Sequence, residues 1–526
     1  MRRNTSASSR TESNDQGEPI TEAKPRQNVD SLNFLSVLFM RRKLIILSVC
    51  SLVLASFLLT KGFDNTSEQS DNWHGKDPVK KGENSDIDPS NKEKTPVPQA
   101  SDNKADIKRD GHFQRTPNLL WWTFEGGRIS NNINCGEIEC LSTVDRALRD
   151  HDDTKVFIFY GTGVELADLP LPRRKHDLWF LTHEESPKNN DHLFSHPEIM
   201  TLFNYTSTFK RQSDYPIPTQ WLPNLSYLKS RQFLKSTATK NEFQKSDNLA
   251  PILYVQSDCN TCSDRDSYVK MLQQHIKVDS YGQCLHNKDM PDHLQFKDSM
   301  AGMHHNDFFE LTSRYKFTLA MENAICDDYI TEKVWRPLHL GSVPILFSSP
   351  KIKDFLPTNN SGILIEDFER VEDLAAFIKR LNEDDEEYNK YLSFKNSNGI
   401  TNIDLVRHMR DREWGQNEHG QHKKYNNHFS AFECFACKIA HRHLHNIEKK
   451  LPLKPSIASV EHYGCPPPKR FDSNGKHIVD DKRWTEPFLY SKYMAKAFRY
   501  SYDKGVILKE KYLKQQAKYL RSKDGE

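Results

Sequence analysis

The stretch YKFTLAMENAICDDYITEKVWRPLHLGSVPILF, residues 315–347, decides the fold of this chain. Its two short apolar runs predict strands at 315–321 and 343–347, and the segment between them predicts a helix at 331–340. Thr331 is a favourable N-cap residue, and Glu332 stands in the first turn, as is typical of a helix start. Two strands joined through a helix indicate one unit of a parallel α/β sheet.

The helix start at 329–336 lies at the predicted carboxyl edge of this sheet, where phosphates bind in many α/β proteins. Free backbone N–H groups and the helix dipole favour an anion there, and Lys333 and Arg336 can add hydrogen bonds to a pyrophosphate. A solvated first helical turn has the same spacing. The pattern alone therefore leaves both a phosphate site and a solvated turn open.

Similar strands and helices are predicted on either side of this stretch. The strands are 156–160, 178–182, 252–256, 278–281 and 362–365, and the helices are 264–275 and 371–381. The polar region 230–248 divides them into two series, which predicts two Rossmann-like lobes, 116–248 and 249–397, with a cleft between them. Residues 398–526 form a Cys-containing C-terminal extension, whose basic end is either a solvated helix face or a binding patch.

The apolar run 44–59 follows Arg41, Arg42 and Lys43 and predicts a transmembrane signal-anchor at 44–60. A cleaved signal peptide would look similar, but a long tail precedes the run and no clear cleavage site follows it. The basic cluster places the tail, 1–43, in the cytosol. We therefore expect a single-pass type II protein of the endoplasmic reticulum or Golgi membrane, with a flexible luminal stem at 61–115 and a luminal catalytic domain.

Composition excludes one class of partner and supports this topology. The chain has 526 residues with 74 basic and 72 acidic side chains, a net charge of +2, which does not resemble a nucleic-acid-binding protein. Sequons for N-glycosylation on the predicted luminal side begin at Asn65, Asn204, Asn224 and Asn359.

Ten cysteines, nine of them after residue 60, suit an oxidising compartment. The disulfide candidates are the close pairs Cys135/Cys140 and Cys434/Cys437. Two CxxC pairs, Cys259/Cys262 and Cys434/Cys437, could instead hold zinc. Nine cysteines after residue 60 are an odd number, so at least one of their thiols is free or paired between chains.

The triplet Asp264-Arg265-Asp266 has the form with which metal-dependent glycosyltransferases hold manganese against a diphosphate. It also opens a predicted helix, where aspartates are favoured for capping alone. We expect no obligatory metal and no cofactor.

Residues 314–350 resemble the donor-binding motif of the alpha-1,3-fucosyltransferase family, glycosyltransferase family 10. The matching segments, in order, are Tyr315-Lys316-Phe317, Glu322-Asn323, 328–333 and Val343-Pro344. Further similarity at 185–187, 263–268 and 281–282 extends the resemblance over most of residues 118–400. The segments 183–187, 279–284, 432–437 and 462–466 are similar to the subgroup of protein O-fucosyltransferases 3 and 4.

This resemblance implies a GT-B fold and inversion of the sugar's anomeric centre, with 249–397 as the GDP-fucose-binding lobe and 116–248 on the acceptor side. Glu185 is then the base that accepts the proton of the acceptor hydroxyl, with Glu184 as its rival. The resemblance assigns the GDP-fucose site to Arg265, Tyr281, Asn323, Tyr329, Glu332 and Lys333. Arg265 could equally be a surface arginine paired with a neighbouring aspartate, and Tyr281 a core aromatic.

The expected reaction is transfer of L-fucose from GDP-fucose to Ser or Thr of a folded protein domain, of the EMI type that this subgroup is associated with. The alternatives are transfer to N-acetylglucosamine of a glycan and, more distantly, a catalytically inactive luminal binding protein. The expected partners are GDP-fucose, an acceptor glycoprotein or glycan and the membrane.

Overall fold

The computed structural model describes residues 115–525, except 125–127, 296–301, 397–398, 480–482 and 508. The predicted cytoplasmic tail, signal-anchor, stem up to residue 114 and sequon at Asn65 lie outside this part. Within the described residues, none of the helices has both the length and the apolar composition needed to cross a bilayer.

The first half of the described chain builds a six-stranded sheet with the strand order β2-β3-β1-β4-β5-β6. The strands are β1 Asn118–Thr123, β2 Asn131–Asn134, β3 Glu139–Thr143, β4 Thr154–Tyr160, β5 Leu178–His183 and β6 Tyr205–Thr208. All neighbouring strands run parallel except β2 and β3, which are antiparallel.

A second, fully parallel sheet has the order β11-β10-β9-β7-β8. Its strands are β7 Ile252–Tyr254, β8 Val278–Ser280, β9 Phe317–Met321, β10 Val343–Phe347 and β11 Ile363–Leu364. Near the C-terminus, β12 Lys469–Phe471 and β13 His477–Val479 form an antiparallel hairpin. The predicted α/β class with parallel sheets is confirmed.

The helices of the described part lie between and after these strands. They are α1 Pro197–Met200, α2 Leu225–Lys229, α3 Thr237–Ser246, α4 Arg265–Leu272, α5 Asn306–Thr312, α6 Glu332–Leu340, α7 Val371–Glu383, α8 Asp385–Lys390, α9 Ile403–Asp411, α10 His428–Glu448, α11 Thr485–Asp503 and α12 Glu510–Asp524. Short 3-10 helices lie at Arg146–Asp150, Gly161–Gly163, Leu166–Asp168, Pro187–Asn190, Leu193–Ser195, Asp292–Leu294, Ile352–Asp354, Ile365–Asp367, Ser393–Lys395 and Val460–His462.

Most of the predicted elements are present with small shifts of their ends. The strand predicted at 343–347 has these bounds in the structure, and Thr331 caps α6 by accepting from the Lys333 backbone N–H. The helix predicted at 264–275 is shorter, because α4 ends at Leu272. The sequence analysis predicts no strand at β1, β2, β3, β6, β12 or β13; β2, for instance, is a largely exposed strand of sequence NNIN and has no apolar run to reveal it.

The C-terminal extension supplies the cover for the first sheet on both faces. On one face, Leu119 and Trp121 of β1 pack with α10 in a single buried cluster. On the other face, the alternate residue Leu120 shares a cluster with α11 and α12, and the ring of Trp179 lies 6.4 Å from that of Tyr502. Helices α10, α11 and α12 of the C-terminal extension are therefore an integral part of the core of the first half of the chain.

Four disulfides join distant segments: Cys135–Cys434, Cys140–Cys437, Cys259–Cys284 and Cys326–Cys465. The four predicted disulfide candidates all form disulfides, but each close pair is split, because α10 returns beside β3 and bonds to both members of the first pair. The alternative of zinc on the two CxxC pairs is wrong, because Cys434 and Cys437 bond to the first pair and Cys259 bonds to Cys284. Cys262 is buried and free among the described residues, since four disulfides use eight of the nine cysteines after residue 60.

Glu433 of α10 adds a buried polar contact to these disulfides. Its Oε1 accepts hydrogen bonds from Trp121 Nε1 at 2.9 Å and from Ser142 Oγ at 2.5 Å, and it pairs with Arg128. The carboxylate is only 6% exposed. One acidic side chain thus bonds α10 to two strands of the sheet and to the chain between them.

The sequons differ in their access to solvent. Asn204 is buried, its Nδ2 donates to Ser456 O at 2.9 Å and its Oδ1 accepts from Trp179 N at 3.0 Å, which argues against the predicted glycan there. Asn224 is also buried and caps α2. Asn359 is exposed in the loop before β11 and is the accessible sequon of the described part.

We expect the two long-range disulfides at α10 to stabilise the fold more than Cys259–Cys284. They span 299 and 297 residues, against 25 for Cys259–Cys284, and a longer loop restrains the unfolded chain more. Serine at all four cysteines of the two long-range disulfides should lower the free energy of unfolding by roughly 4 kcal/mol more than Cys259→Ser/Cys284→Ser, because two crosslinks are lost and one of them closes the longest loop. Urea unfolding followed by tryptophan fluorescence measures both losses, and equal losses would contradict this expectation.

Candidate functional site

The carboxyl ends of one strand from each sheet meet at the candidate site. Strand β5 leads into 184–187, and β9 leads into the loop 322–331, which we call the donor loop. The Tyr329 hydroxyl of the donor loop donates to Glu185 Oε2 at 3.3 Å. Burial and the nearby Glu185 carboxylate raise the pKa of Tyr329 well above its usual value, so the phenol keeps its proton. The structure thus brings together two predicted site residues that are far apart in sequence.

The donor loop is folded around the buried carboxylate of Glu322. This side chain is fully buried, and its Oε1 accepts from Thr331 N at 2.8 Å and from Thr331 Oγ1 at 3.0 Å. Burial raises the pKa of Glu322. Because Thr331 is also the N-cap of α6, the same residue closes the loop and starts the helix.

Lys333 lies between the carboxylates of Glu332 and Glu322. Its Nζ is 3.1 Å from Glu332 Oε1 and 3.8 Å from Glu322 Oε2. Burial alone would lower the pKa of Lys333, but the two carboxylates raise it above its ordinary value. Burial alone would raise the pKa of Glu332, but Lys333 and Arg336 lower it to about 2. Lys333 and Glu332 are therefore both charged at the start of α6.

Arg265 begins α4 and supports the end of β9. Its side chain is 1% exposed, with Nη1 donating to Met321 O at 2.9 Å and Nη2 donating to Asp258 O at 2.6 Å. Its Nε is buried and meets no acceptor in the described part of the chain. The alternative of a surface arginine paired with a neighbouring aspartate is therefore wrong.

The two carboxylates of the Asp264-Arg265-Asp266 triplet accept hydrogen bonds from different parts of the protein. Asp264 Oδ2 accepts from Phe471 N at 2.9 Å, in the hairpin of the C-terminal extension. Asp266 Oδ1 accepts from Tyr254 Oη at 2.7 Å. These contacts give the triplet a structural use that requires no bound ion.

Glu184 and Glu185 have different surroundings. Glu184 Oε1 accepts from Tyr160 Oη at 3.1 Å, within the first sheet. Glu185 contacts the donor loop through its carboxylate, and its backbone oxygen accepts from Tyr463 Oη at 2.9 Å. Glu185 is thus hydrogen-bonded to the second half of the chain through both its carboxylate and its backbone oxygen.

Two further predicted residues have different outcomes. Asn323 follows Glu322 in the donor loop, and its Oδ1 is buried without a protein partner in the described residues. Tyr281 is not brought to this group: it is buried in a cluster with Leu249 and Leu253, and its hydroxyl lies 2.8 Å from that of Tyr315. For Tyr281 the alternative of a core aromatic is therefore the one that the structure supports.

Tyr463 is the residue at this site to which sequence reasoning gave no role. It lies in the segment 462–466, whose sequence indicates only a similarity to the subgroup of protein O-fucosyltransferases 3 and 4. Nothing in the local pattern indicates that this segment returns to Glu185, 278 residues earlier. The site can supply a carboxylate for proton transfer on one side and an ammonium group beside carboxylates on the other.

Two family descriptions match the chain. "Fucosyltransferase, N-terminal" matches residues 114–220, and "Glycosyltransferase family 10 (fucosyltransferase) C-term" matches residues 244–449. Together they include every residue of the candidate site except Tyr463.

Curated relatives match over most of their own length. The chain is 46% identical to the GDP-fucose protein O-fucosyltransferase 3 of Danio rerio, over 68% of this chain and 76% of the relative. It is 43% identical to the protein of the same name in Homo sapiens, over 76% of this chain and 82% of the relative.

A crystal structure of an alpha1,3-fucosyltransferase is similar over 56% of this chain and 80% of its own, with 15% identity and a TM-score of 0.33. The family assignment rests on the two matching family descriptions and on the sequence relatives. Their identity and coverage establish that this chain belongs to glycosyltransferase family 10, the fucosyltransferases.

Proposed function

We propose that this chain transfers L-fucose from GDP-fucose to a Ser or Thr hydroxyl of an acceptor protein. The observation that carries the proposal is the contact between Glu185 Oε2 and Tyr329 Oη, because it sets a carboxylate from the first sheet against the donor loop of the second. The name that the relatives share, GDP-fucose protein O-fucosyltransferase 3, supports the choice of donor and of acceptor class.

In this proposal Glu185 accepts the proton of the acceptor hydroxyl as its oxygen attacks the anomeric carbon of fucose. The bond between that carbon and the β-phosphate oxygen breaks, and GDP leaves with the bonding electrons. A single displacement with the base opposite the leaving group inverts the anomeric centre. A carboxylate on one sheet and the donor loop on the other suit this division of roles.

Lys333 is the proposed partner of the diphosphate, where its charge offsets the charge that develops on the leaving group. Arg265 can donate a further hydrogen bond to the diphosphate from Nε, because Nη1 and Nη2 already donate to backbone carbonyls. Glu332 faces the sugar or ribose in this proposal, and Tyr329 and Asn323 shape the pocket. The hydrogen bonds made by Asp264 and Asp266 support transfer without a metal.

The arrangement that accommodates this reaction is a GT-B cleft between the two sheets. We propose that 44–60 anchors the chain in the membrane of the endoplasmic reticulum or Golgi, with the described residues in the lumen. The four disulfides of the described part support an oxidising compartment. An EMI-type domain remains the proposed acceptor.

The central experiment incubates residues 61–526 with labelled GDP-fucose and three kinds of acceptor in the presence of EDTA. We expect label on Ser or Thr of a folded EMI-type domain and none on an unfolded copy or on glycans that end in N-acetylglucosamine. Peptide mapping by mass spectrometry locates the label. Labelling of the glycans alone would end the protein-acceptor proposal, and activity seen only after manganese replaces EDTA would end the metal-independent one.

Glu185→Gln should abolish transfer while leaving donor binding intact. Glutamine preserves the shape and can accept from Tyr329, but it cannot take up a proton, so we expect kcat to fall by about 100- to 10,000-fold. Calorimetry should give an unchanged Kd for GDP-fucose. The matched control is Glu184→Gln, which should retain most activity; the reverse pattern would assign the base to Glu184.

Lys333→Ala should instead weaken donor binding. The variant removes a charge-assisted contact to the diphosphate and leaves Glu332 and Glu322 without their cation. We expect the binding free energy of GDP-fucose to fall by about 2–4 kcal/mol. Calorimetric titration measures this loss, and Lys379→Ala, an exposed lysine on α7 of the same half, is the control. Equal affinity in both variants would remove Lys333 from the donor site.

A further inference from the structure

Tyr463 is a buried tyrosine of the C-terminal extension that lies beside the loop carrying Glu185. It is 0% exposed. Its ring centroid lies 5.3 Å from that of Phe209 and 5.7 Å from that of Phe194. Phe209 in turn lies 5.0 Å from Tyr329. These aromatic rings fix the Tyr463 side chain in one place.

The Tyr463 hydroxyl makes three short polar contacts. It donates its proton to the backbone oxygen of Glu185 at 2.9 Å and accepts from Asn190 Nδ2 at 2.7 Å. The third contact, at 2.8 Å, is with His183 Nδ1. The hydroxyl therefore holds the chain before, at and after the proposed base.

The hydrogen-bond directions of this group follow from the single phenolic proton. Since that proton goes to Glu185 O, His183 Nδ1 must donate to the Tyr463 oxygen, and His183 Nε2 then accepts from Thr162 Oγ1 at 2.9 Å. Burial lowers the pKa of His183 to about 3, so the ring is neutral and can hold this one tautomer. The backbone at Gly161 approaches the His183 ring so closely that only glycine fits there, because a Cβ at this position would lie 2.6 Å from the imidazole.

A disulfide connects this hydroxyl to the donor loop. Cys465 stands two residues after Tyr463, Cys326 stands three residues before Tyr329, and the two cysteines are bonded. Tyr463 contacts the backbone of Glu185, while Tyr329 contacts its carboxylate. Both tyrosines that contact Glu185 therefore belong to covalently joined segments.

We propose that Tyr463 is a positioning residue for the reaction: its hydroxyl sets the backbone of Glu185, and the Cys326–Cys465 disulfide holds it in register with the donor loop. This inference rests on the proposed role of Glu185. Tyr463 touches neither sugar nor nucleotide in this account and acts through Glu185. Loss of the Tyr463 hydroxyl should therefore lower the rate of transfer without weakening the binding of GDP-fucose.

The test compares Tyr463→Phe with the wild-type chain in steady-state transfer from GDP-fucose to the EMI-type domain. Phenylalanine keeps the ring packing and removes the hydroxyl, so we expect kcat to fall by roughly 10- to 100-fold, the effect of a slightly misplaced reacting group. The KM for GDP-fucose should not change. Wild-type kcat in the folded variant would overturn the inference, as would a rise in KM at constant kcat.

Tyr388→Phe is the matched control. Tyr388 is also fully buried and donates to a backbone carbonyl, Lys316 O at 2.7 Å, but it lies in the core of the second half. We expect both variants to lower the midpoint of thermal unfolding and only Tyr463→Phe to lower kcat. An equal loss of kcat in both would mean a general effect on folding and would overturn the positioning role.

A second comparison tests the disulfide. Cys326→Ser/Cys465→Ser and Tyr463→Phe both disturb the position of Glu185. The combined variant should therefore lose less activity than the product of the two separate losses. Fully multiplicative losses would overturn the coupling.

If Tyr463→Phe does not fold, Asn190→Ala removes one donor to the hydroxyl, and a folded Asn190→Ala with wild-type kcat would overturn the inference. A wild-type chain that transfers no fucose contradicts the proposed function itself and is separable from each of these results.

Discussion

The first sheet needs apolar cover on both of its faces, and much of the structure depends on how that cover is supplied. Neighbouring residues of one strand, such as Leu119 and Leu120, are both fully buried on opposite sides. Within the described residues, the connections of this sheet contain only 3-10 helices and the four-residue α1. They are too short to bury two apolar faces, whose removal from water is the main favourable term in folding. The chain therefore returns after the second sheet and packs α10 on one face and α11 on the other.

This return also assembles the site. The segment between α10 and α11 passes the end of β5, where Tyr463 contacts the Glu185 loop, and bonds to the donor loop through Cys465. The hairpin that follows donates from Phe471 N to Asp264 at the start of α4. Three distant parts of the chain thus set one carboxylate against one donor loop. The geometry around Glu185 is a consequence of closing the core of the first sheet.

The local sequence pattern was sufficient to predict an element where that element is apolar and is fixed by interactions between near neighbours in the chain. Strands such as β10 and the helix start at Thr331 were predictable, because burial and capping act within a few residues. Exposed or polar strands such as β2 carry no such signal. Resemblance added Glu185 and Arg265 as candidates, and it could not exclude Tyr281, whose burial in a core cluster is a tertiary fact. Motif membership assigns a residue to a family pattern, whereas contact with the site depends on which way its side chain packs.

By itself, the sequence determined the α/β class, most of the strands, the family and a start of α6 suited to an anion. These features follow from periodicity, capping and motif spacing, which are properties of neighbouring residues. Only the tertiary structure decided the cysteine partners, the burial of Asn204, the cover of the first sheet and the convergence of Tyr329 and Tyr463 on Glu185. The contacts of Tyr329 and Tyr463 with Glu185 and the disulfides of α10 join residues more than a hundred positions apart. No local pattern encodes them, because they arise only when separate apolar faces are buried together.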